Sequence, residues 1–564
     1  MVRLLAAAVL VALVAFLGYT HAPAQEARAP FSVVEASIED LSLAMEQGRA
    51  TSRDIVTQSL VRIATYEDRL NAAIAINPRA LAEADERDRE RRAGRIRGPL
   101  HGIPVALKDN IHTTDMPTTG GALAFAGLVP PYEATLTRHL RDAGAVIIAK
   151  TVMTELANWV AQGMPTNYSS LAGFGFNPYD PRRDPREATG DGRPILAPGG
   201  SSSGIGTTAS FWAANVGTET SGSILNPANQ TMLVGIKPTV GRISRYGVIP
   251  IAADQDTPGP MARSVADAAI MLGALEGATP DPNDPATSAC RPPEGRDYRR
   301  FLRRDGLRGA RIGIPRAYFY DAAQTPGERG STGGLSTAQK VVMAEALAVL
   351  RSEGATVVDP VEIPSIVTTD PARSFLLWPV CSGPSDARGR DEDCSVVFKY
   401  GMKRDFGAWL ASLGAAAPVR TLGELRAWNR AHESAGTLKY GQAQLDNSDE
   451  MDIVVDRARY EADRAKDLAL TGRDGIDAAL SAGRVEALLF PSFMGSAIAA
   501  KPGYPTVIVP FGMVPNESAP QGLEARPAPF GVSFTGTACS EPRLIELAYA
   551  FEQATKRRVP PRLD

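Results

Sequence analysis

Two short serine-bearing segments, 22 residues apart, have the composition of a nucleophilic site. The first reads GGSSSG at residues 199–204, and the second reads TSGS at residues 220–223. Small residues let the backbone come close to another group, and each segment places a hydroxyl beside backbone N–H groups. A serine nucleophile needs such N–H groups to stabilise an oxyanion. The pattern therefore predicts acyl transfer at one of these serines.

The base that would activate the serine is predicted to be a lysine. Lys108 lies in the apolar segment VALKDN at residues 105–110, and no histidine accompanies either serine segment. Burial disfavours the ammonium form and lowers the pKa of a lysine, so a buried lysine can accept a proton. We therefore predict a relay in which Ser223 attacks and its proton passes through Ser201 to Lys108. The backbone N–H groups expected to hold the oxyanion belong to Thr220, Ser221, Gly222 and Ser223.

Other chemistries fit the sequence less well. The GxSxG pattern of α/β-hydrolases requires a histidine after the serine, and only His432 follows, in a charged stretch. No Gly-Lys-Ser/Thr phosphate loop, no Ser-x-x-Lys and no dense His/Cys cluster occurs. We therefore predict neither a metal nor an organic cofactor. The ordinary alternatives are that the serine segments are simple turns and that Lys108 extends to solvent.

The surrounding elements predict an α/β fold, because helices alternate with short buried strands. Thr51 and Asp54 form a capping box that begins a helix, and a strand is predicted to lead into Lys108. Further helices are predicted at about 79–92, 136–143, 203–214, 265–275 and 542–556, and buried strands at 145–149, 485–490 and 505–510. Residues 276–480 are predicted as a helical excursion from one core.

Several segments together resemble the amidase signature family, and their co-occurrence in this order is specific. They are HGIPVALKDN (101–110), PGGSSSG (198–204), GTETSGS (217–223), VGIKPTVG (234–241), DTPGPM (256–261) and SVAD (264–267). The resemblance runs from about residue 35 to the C-terminus. Segments 398–410, 421–429 and 549–555 resemble the bacterial peptide-amidase-like branch.

The resemblance implies a single large α/β/α domain around a twisted mixed sheet flanked by helices. It also implies that Lys108 is the base, that Ser201 is a bridging serine on a cis peptide bond, and that Ser223 is the acyl-enzyme nucleophile. One departure is that Ser201 and Ser223 are two residues closer in sequence than in the usual family pattern. The bulky residues 207–212 lie between them. A shift of about 1 Å can lower the rate strongly, but we expect the triad to be intact.

The composition indicates an ordinary globular protein whose N-terminus is a targeting signal. The chain has 564 residues, 44% apolar residues and a net charge of −3, so we expect no nucleic-acid partner. Arg3, an apolar run at residues 4–17 and the sequence APA at residues 22–24 predict a signal peptide at residues 1–24. An uncleaved anchor is the alternative. We therefore expect a periplasmic or secreted protein without stable membrane insertion after cleavage.

The four cysteines leave the disulfide state open at the level of sequence. Cys381 and Cys394 are close enough to close a small loop, whereas Cys290 and Cys539 are far apart and could pair or stay free. Four buried thiols are the alternative. No C-x-x-C motif occurs, so neither a zinc ribbon nor a thioredoxin-type site is indicated.

The sequence as a whole is interpreted as an exported amidase that hydrolyses a C–N amide bond in a small-molecule substrate. The predicted amidase domain spans residues 25–564, and segments 176–198 and 276–480 are expected to shape the pocket. A non-catalytic secreted binding protein on an amidase scaffold is the alternative. A member of a complex that transamidates charged tRNA is a third, which the signal disfavours because charged tRNA is cytosolic. The substrate and the oligomeric state stay open.

Overall fold

A computed structural model of the chain describes residues 31–187 and 189–563, so the predicted signal at residues 1–24 lies outside the described part. Within that part, one mixed sheet of eleven strands lies at the centre, accompanied by two small two-stranded sheets. The strands are β1 (Ala73–Ile76), β2 (Pro104–Lys108), β3 (Val146–Thr151), β4 (Tyr168–Ser169), β5 (Gly173–Phe174), β6 (Ala214–Glu219), β7 (Val234–Lys237), β8 (Thr257–Ala262), β9 (Arg311–Gly313), β10 (Ala323–Gln324), β11 (Ser331–Thr332), β12 (Thr356–Val358), β13 (Ala487–Pro491), β14 (Thr506–Val514) and β15 (Ala528–Thr535).

The order of strands in the central sheet is β1-β3-β2-β6-β8-β7-β14-β15-β13-β9-β12. Strands β3, β2 and β6 are parallel neighbours, whereas β6, β8, β7, β14, β15 and β13 are successively antiparallel. Every residue of β2, β3 and β6 is buried, as expected for strands covered on both faces. The predicted α/β fold with a mixed sheet flanked by helices is confirmed.

Helices pack against this sheet, and local sequence signals set several of their ends. The α-helices are α1 (Ile38–Glu46), α2 (Ser52–Leu70), α3 (Ala80–Arg92), α4 (Thr135–Asp142), α5 (Ile205–Thr208), α6 (Leu225–Gln230), α7 (Val265–Leu275), α8 (Thr337–Ser352), α9 (Pro364–Val367), α10 (Val397–Gly401), α11 (Gly407–Ser412), α12 (Leu422–Ala431), α13 (Ala443–Asp449), α14 (Arg457–Leu468), α15 (Asp477–Gly483), α16 (Ser496–Ala500) and α17 (Glu541–Thr555). The predicted capping box is present at the start of α2, where Thr51 and Asp54 exchange hydrogen bonds. π-Helical turns occupy Met402–Phe406 and Ala469–Ile476.

The helix after the first serine segment is shorter than the predicted range 203–214. Helix α5 ends at Thr208, and β6 begins at Ala214. Trp212 folds back over the helix, so a Cβ atom at Gly206 would lie only 2.0 Å from its ring. The bulky residues therefore end the helix early and pack into the core rather than lengthening it.

The segment at residues 276–480 is rich in helices, as its sequence predicts, but most of them are short and the segment also contributes to the sheet. Strands β9 and β12 pair in parallel at the edge next to β13. Cys381 is bonded to Cys394 within this segment, and Cys290 is bonded to Cys539. The alternative of free thiols is therefore wrong for all four cysteines. In the part of the chain that is described, no helix is both long and apolar enough to cross a membrane.

Candidate active site

Lys108 ends strand β2, and the parallel alignment of β2 with β6 determines what it meets. Leu107 pairs with Val216, so the carboxyl ends of the two strands lie at the same edge of the sheet. The register continues to place position 108 opposite Gly217, and the Lys108 amine reaches Thr218, the next residue of β6. The Lys108 side chain is completely buried, which contradicts the alternative that it extends to solvent.

Three oxygen atoms surround the amine of Lys108. Its Nζ lies 2.9 Å from Ser201 Oγ, 2.9 Å from Thr218 Oγ1 and 3.2 Å from the Thr218 carbonyl oxygen. Burial lowers the pKa of Lys108 to about 7, although the nearby carboxylates of Asp256 and Glu219 act in the opposite direction. A substantial fraction of the amine is therefore neutral near pH 7 and able to accept a proton.

A tight turn holds Ser201 against Lys108. A Cβ atom at Gly200 would lie 2.4 Å from Pro227 Cδ, so only glycine fits there. The Thr154 hydroxyl donates to the Gly200 carbonyl oxygen, at 3.0 Å. The expected cis peptide bond before Ser201 is wrong for this structure, because the one cis bond of the described residues is Asp359–Pro360. Positive φ values of 81° at Gly199 and 49° at Gly200 turn the chain instead.

Ser223 lies on the second serine segment, directly after a left-handed glycine. Gly222 has a φ of 79°, and the Ser223 carbonyl oxygen accepts a hydrogen bond from Ser202 N at 3.2 Å. The two serine segments are therefore joined through their backbones despite their shortened spacing. Within the described residues, the hydroxyls of Ser201 and Ser223 form no direct hydrogen bond.

The side chains that hold the second segment are buried carboxylates and an amide. Thr220 Oγ1 donates to Asp256 Oδ1 at 2.5 Å, and Gln255 Nε2 donates to the Thr220 carbonyl oxygen at 3.2 Å. Glu219 Oε2 accepts from the backbone N–H groups of Ile224 and Leu225. In the described part of the chain, the backbone N–H groups of Ser221, Gly222 and Ser223 donate to no protein acceptor. That arrangement is what an oxyanion hole requires.

A cavity of about 330 Å³ opens onto these groups. Its floor contains Ser201, Ser223 and the segment Thr220–Gly222. The walls combine apolar side chains with amides, and they are Trp159, Ile251, Val380, Phe398, Phe493, Asn158, Asn226 and Gln444. Segment 276–480 therefore shapes the pocket as predicted, whereas no residue of segment 176–198 lines it.

Comparisons with known proteins agree with this geometry. Residues 54–388 match the protein family described as Amidase. The chain belongs to the amidase family. A probable amidase of Arabidopsis thaliana is 34% identical over 94% of this chain and 92% of its own. A glutamyl-tRNA(Gln) amidotransferase subunit from Synechococcus is 30% identical over 90% of this chain and 95% of its own.

A solved bacterial structure extends the likeness to the fold. The native peptide amidase of Stenotrophomonas maltophilia is 38% identical to this amidase, with a TM-score of 0.78. The alignment covers 95% of this chain and 100% of that protein. The protein is therefore an amidase, a hydrolase of C–N bonds, in the amidase signature fold.

The structure also shows where the residues lie on which the alternative interpretations, an α/β-hydrolase and a metal site, would depend. His432 is exposed and stacks on Trp428, and it does not line the cavity of this amidase. The α/β-hydrolase interpretation is therefore unsupported by geometry. In the described ranges, no group of three or more His, Cys, Asp or Glu side chains is arranged to hold a metal ion.

Sequence reasoning missed Thr218, Gln255 and Asp256 as members of the site. Thr218 contacts the Lys108 amine directly, and it also accepts a hydrogen bond from Asn110 Nδ2 at 3.0 Å. The sequence contains a signal for two of these residues, because Thr218 lies within the GTETSGS motif and Asp256 begins the DTPGPM motif. Their roles become visible only when β2, β6 and β8 lie side by side.

Proposed function

We propose that this protein is an exported amidase that hydrolyses carboxamides through an acyl-serine intermediate and a Ser223–Ser201–Lys108 relay. The observation that carries the proposal is the buried contact of 2.9 Å between Lys108 Nζ and Ser201 Oγ, next to a cavity floored by Ser223. A primary amide at the end of a peptide is the proposed substrate class. The solved peptide amidase, which aligns over its full length, supports that choice.

The reaction proceeds in two half-reactions. Ser223 Oγ attacks the carboxamide carbon while its proton passes to Ser201 Oγ, whose own proton passes to neutral Lys108. The N–H groups of the second serine segment stabilise the oxyanion, and the relay then returns a proton to the leaving ammonia. Water repeats the sequence at the acyl-serine ester and releases the carboxylic acid. Ser201 and Ser223 must close to hydrogen-bond distance when substrate binds, as catalytic contacts commonly do.

Covalent labelling tests the nucleophile. A fluorophosphonate probe should modify Ser223, identified by peptide mass spectrometry, and should block ammonia release from a peptide amide. Substitution Lys108→Met should suppress both labelling and turnover. A protein that binds peptide amides, but takes up no label and releases no ammonia, would be the non-catalytic binding protein instead.

Export is supported by the sequence signal and by the chemistry of the cysteines. Two disulfides are characteristic of oxidising compartments outside the cytosol. N-terminal sequencing of the protein from a fractionated cell should find Gln25 as the first residue, in the periplasmic or secreted fraction. Recovery of full-length protein from the cytosol would contradict export and would favour a role like that named for the amidotransferase relative.

A further inference from the structure

One buried side-chain amide outside the cavity lining bonds to the backbone of the first serine segment at several points. Asn167 is completely buried, and its Nδ2 donates to the carbonyl oxygens of Gly199 at 2.8 Å, Gly200 at 3.2 Å and Ser202 at 3.4 Å. A primary amide carries two N–H donors, so two of these acceptors share one hydrogen. A single side chain therefore restrains the segment that carries Ser201.

Thr154 bonds to the carbonyl group that Asn167 leaves. The Thr154 backbone N–H donates to the Ser201 carbonyl oxygen at 3.2 Å, and its hydroxyl donates to the Gly200 carbonyl oxygen at 3.0 Å. The same hydroxyl accepts from the Asn167 backbone N–H at 2.7 Å. Together the two residues bond to four successive carbonyl oxygens, those of residues 199–202, and to each other.

The peptide group between Ser201 and Ser202 is consequently held at both ends. Its C=O accepts from Thr154, and its N–H donates to the Ser223 carbonyl oxygen at 3.2 Å. Rotation of this peptide group would move the Ser201 hydroxyl, whose oxygen lies 2.9 Å from Lys108 Nζ. The orientation of the bridging hydroxyl therefore depends on the groups that hold the backbone behind it.

We infer that Asn167, assisted by Thr154, is a positioning residue of the relay, because it keeps the Ser201 hydroxyl within reach of both Lys108 and Ser223. Asn167 has a φ of 58°, a left-handed conformation that asparagine adopts more readily than most residues. It acts through the backbone of Ser201, because its amide reaches carbonyl oxygens of that segment rather than the hydroxyls of the relay. The inference rests on the proposed function and adds to it a residue outside both serine motifs.

The first test removes the amide and keeps the backbone conformation. Asn167→Gly suits the left-handed φ and retains the backbone N–H that bonds to Thr154. We expect kcat on N-acetyl-phenylalaninamide to fall about 10²-fold, since a displacement of about 1 Å has that effect on a reacting group. KM should change less than about twofold, because the cavity lining is untouched. The rate of fluorophosphonate labelling at Ser223 should fall in parallel with kcat.

A double-mutant cycle separates positioning of Ser201 from a general structural role. In Ser201→Ala the relay is already broken, so the addition of Asn167→Gly should slow the residual labelling of Ser223 by less than about twofold. Intact-mass spectrometry over several hours measures these slow rates. A residue that supports the fold elsewhere would lower the rate by the same factor in both backgrounds.

Asn71→Gly is the matched control. Asn71 is also left-handed, with a φ of 46°, and its Nδ2 donates to the carbonyl oxygens of Ala172 and Phe174, each at 2.8 Å. It thus holds the β4–β5 hairpin rather than a serine segment, and the variant should keep the native kcat. If Asn167→Gly does not fold, Thr154→Val keeps the volume and the backbone donor, and it should lower kcat about tenfold through loss of the hydroxyl.

Three outcomes would overturn the inference. They are a native kcat in the folded Asn167→Gly variant, or in Thr154→Val where that variant replaces it, an equal loss of kcat in Asn71→Gly, and a full additional loss in the Ser201→Ala background. A native enzyme that takes up no label and releases no ammonia would instead contradict the proposed hydrolysis, and the positioning role with it.

Discussion

At the scale of single residues, the proposed relay depends on the charge of Lys108. An ammonium cannot accept the proton that Ser201 passes on in that relay, so the proposal requires the neutral amine. The structure buries this lysine completely and surrounds it with the oxygen atoms of Ser201 and Thr218. Asp256 and Glu219 are the carboxylates whose charges act on it.

Activity should rise as the pH increases through neutrality. Because burial lowers the pKa of Lys108 to about 7, the base is present above that pH and is lost as the pH falls. We expect kcat/KM to be level at pH 8–9 and to fall about tenfold per pH unit below about 6. A stopped assay of ammonia release from pH 5 to 9 measures the profile, and a flat profile would contradict lysine as the base.

Asp256 provides the control for that profile, because burial raises its pKa to about 7 as well. Ionised Asp256 raises the pKa of Lys108, so Asp256→Asn should move the acid limb to lower pH. If the fall of kcat/KM at acid pH disappears in this variant, the titrating group is Asp256 rather than Lys108.

Removal of the proposed nucleophile should separate chemistry from folding. We expect Ser223→Ala to lower kcat by at least about 10³-fold, because no acyl-enzyme can form. Ser223 is small and near the cavity floor, so its thermal unfolding midpoint should change little. Ser352→Ala, in an exposed residue at the end of α8, is the control and should retain native turnover. Measurable burst kinetics in Ser223→Ala would show that another residue is the nucleophile.

At the scale of elements, short turns hold the serine segments in place. A disulfide-linked segment forms part of another wall of the active-site cavity. Cys381 lies between Val380 and Ser382, which both line the cavity. Cys381 N donates to the Ser395 carbonyl oxygen at 3.0 Å, and the disulfide joins Cys381 to Cys394. The bridge therefore holds one wall of the cavity.

Opening this bridge should weaken substrate binding more than turnover. In Cys381→Ser/Cys394→Ser we expect KM to rise about fivefold, since ordering a loosened wall costs about 1 kcal/mol, and kcat to change less than about twofold. Steady-state kinetics on a peptide amide measure both values. Cys290→Ser/Cys539→Ser is the control, because neither residue lines the cavity. An equal rise in KM in both double variants would indicate a general loss of stability.

At the scale of the whole molecule, a buried ion cluster connects segments that are distant in sequence. Arg242 is 1% exposed in its side chain and contacts Glu541 at 2.7 Å, Glu276 at 2.8 Å and Tyr298 Oη at 2.6 Å. Glu541 begins α17, the last helix, and Glu276 follows α7. The cluster therefore joins the C-terminal helix to the centre of the fold.

Breaking this cluster should destabilise the protein without touching the active site. Arg242→Met removes the arginine cation from two buried carboxyl groups, Glu276 and Glu541, so we expect the free energy of unfolding to fall by about 3 kcal/mol. Urea unfolding followed by circular dichroism measures the change. Arg299→Met removes the exposed pair with Asp297 and should cost less than about 1 kcal/mol. Equal losses in both variants would contradict a special role for the buried cluster.

The sequence alone determined the features that depend on neighbouring residues. The capping box at Thr51, the buried strand that ends at Lys108 and both serine segments follow from local composition and hydrophobic periodicity. Lys108, Ser201 and Ser223 are identifiable for the same reason, since each lies in a short motif of its own. The resemblance to the amidase family added the mixed sheet, which the structure confirms.

Only the tertiary structure decided which distant residues meet. The pairing of β2 with β6 brings Thr218 to Lys108, and the packing of α13 brings Gln444 to a cavity floored by Ser223. The trans bond before Ser201 and the pairing of all four cysteines likewise emerged from the fold. Contacts of this kind depend on how whole elements pack, and their energies come from burial and shape, which no local sequence pattern encodes.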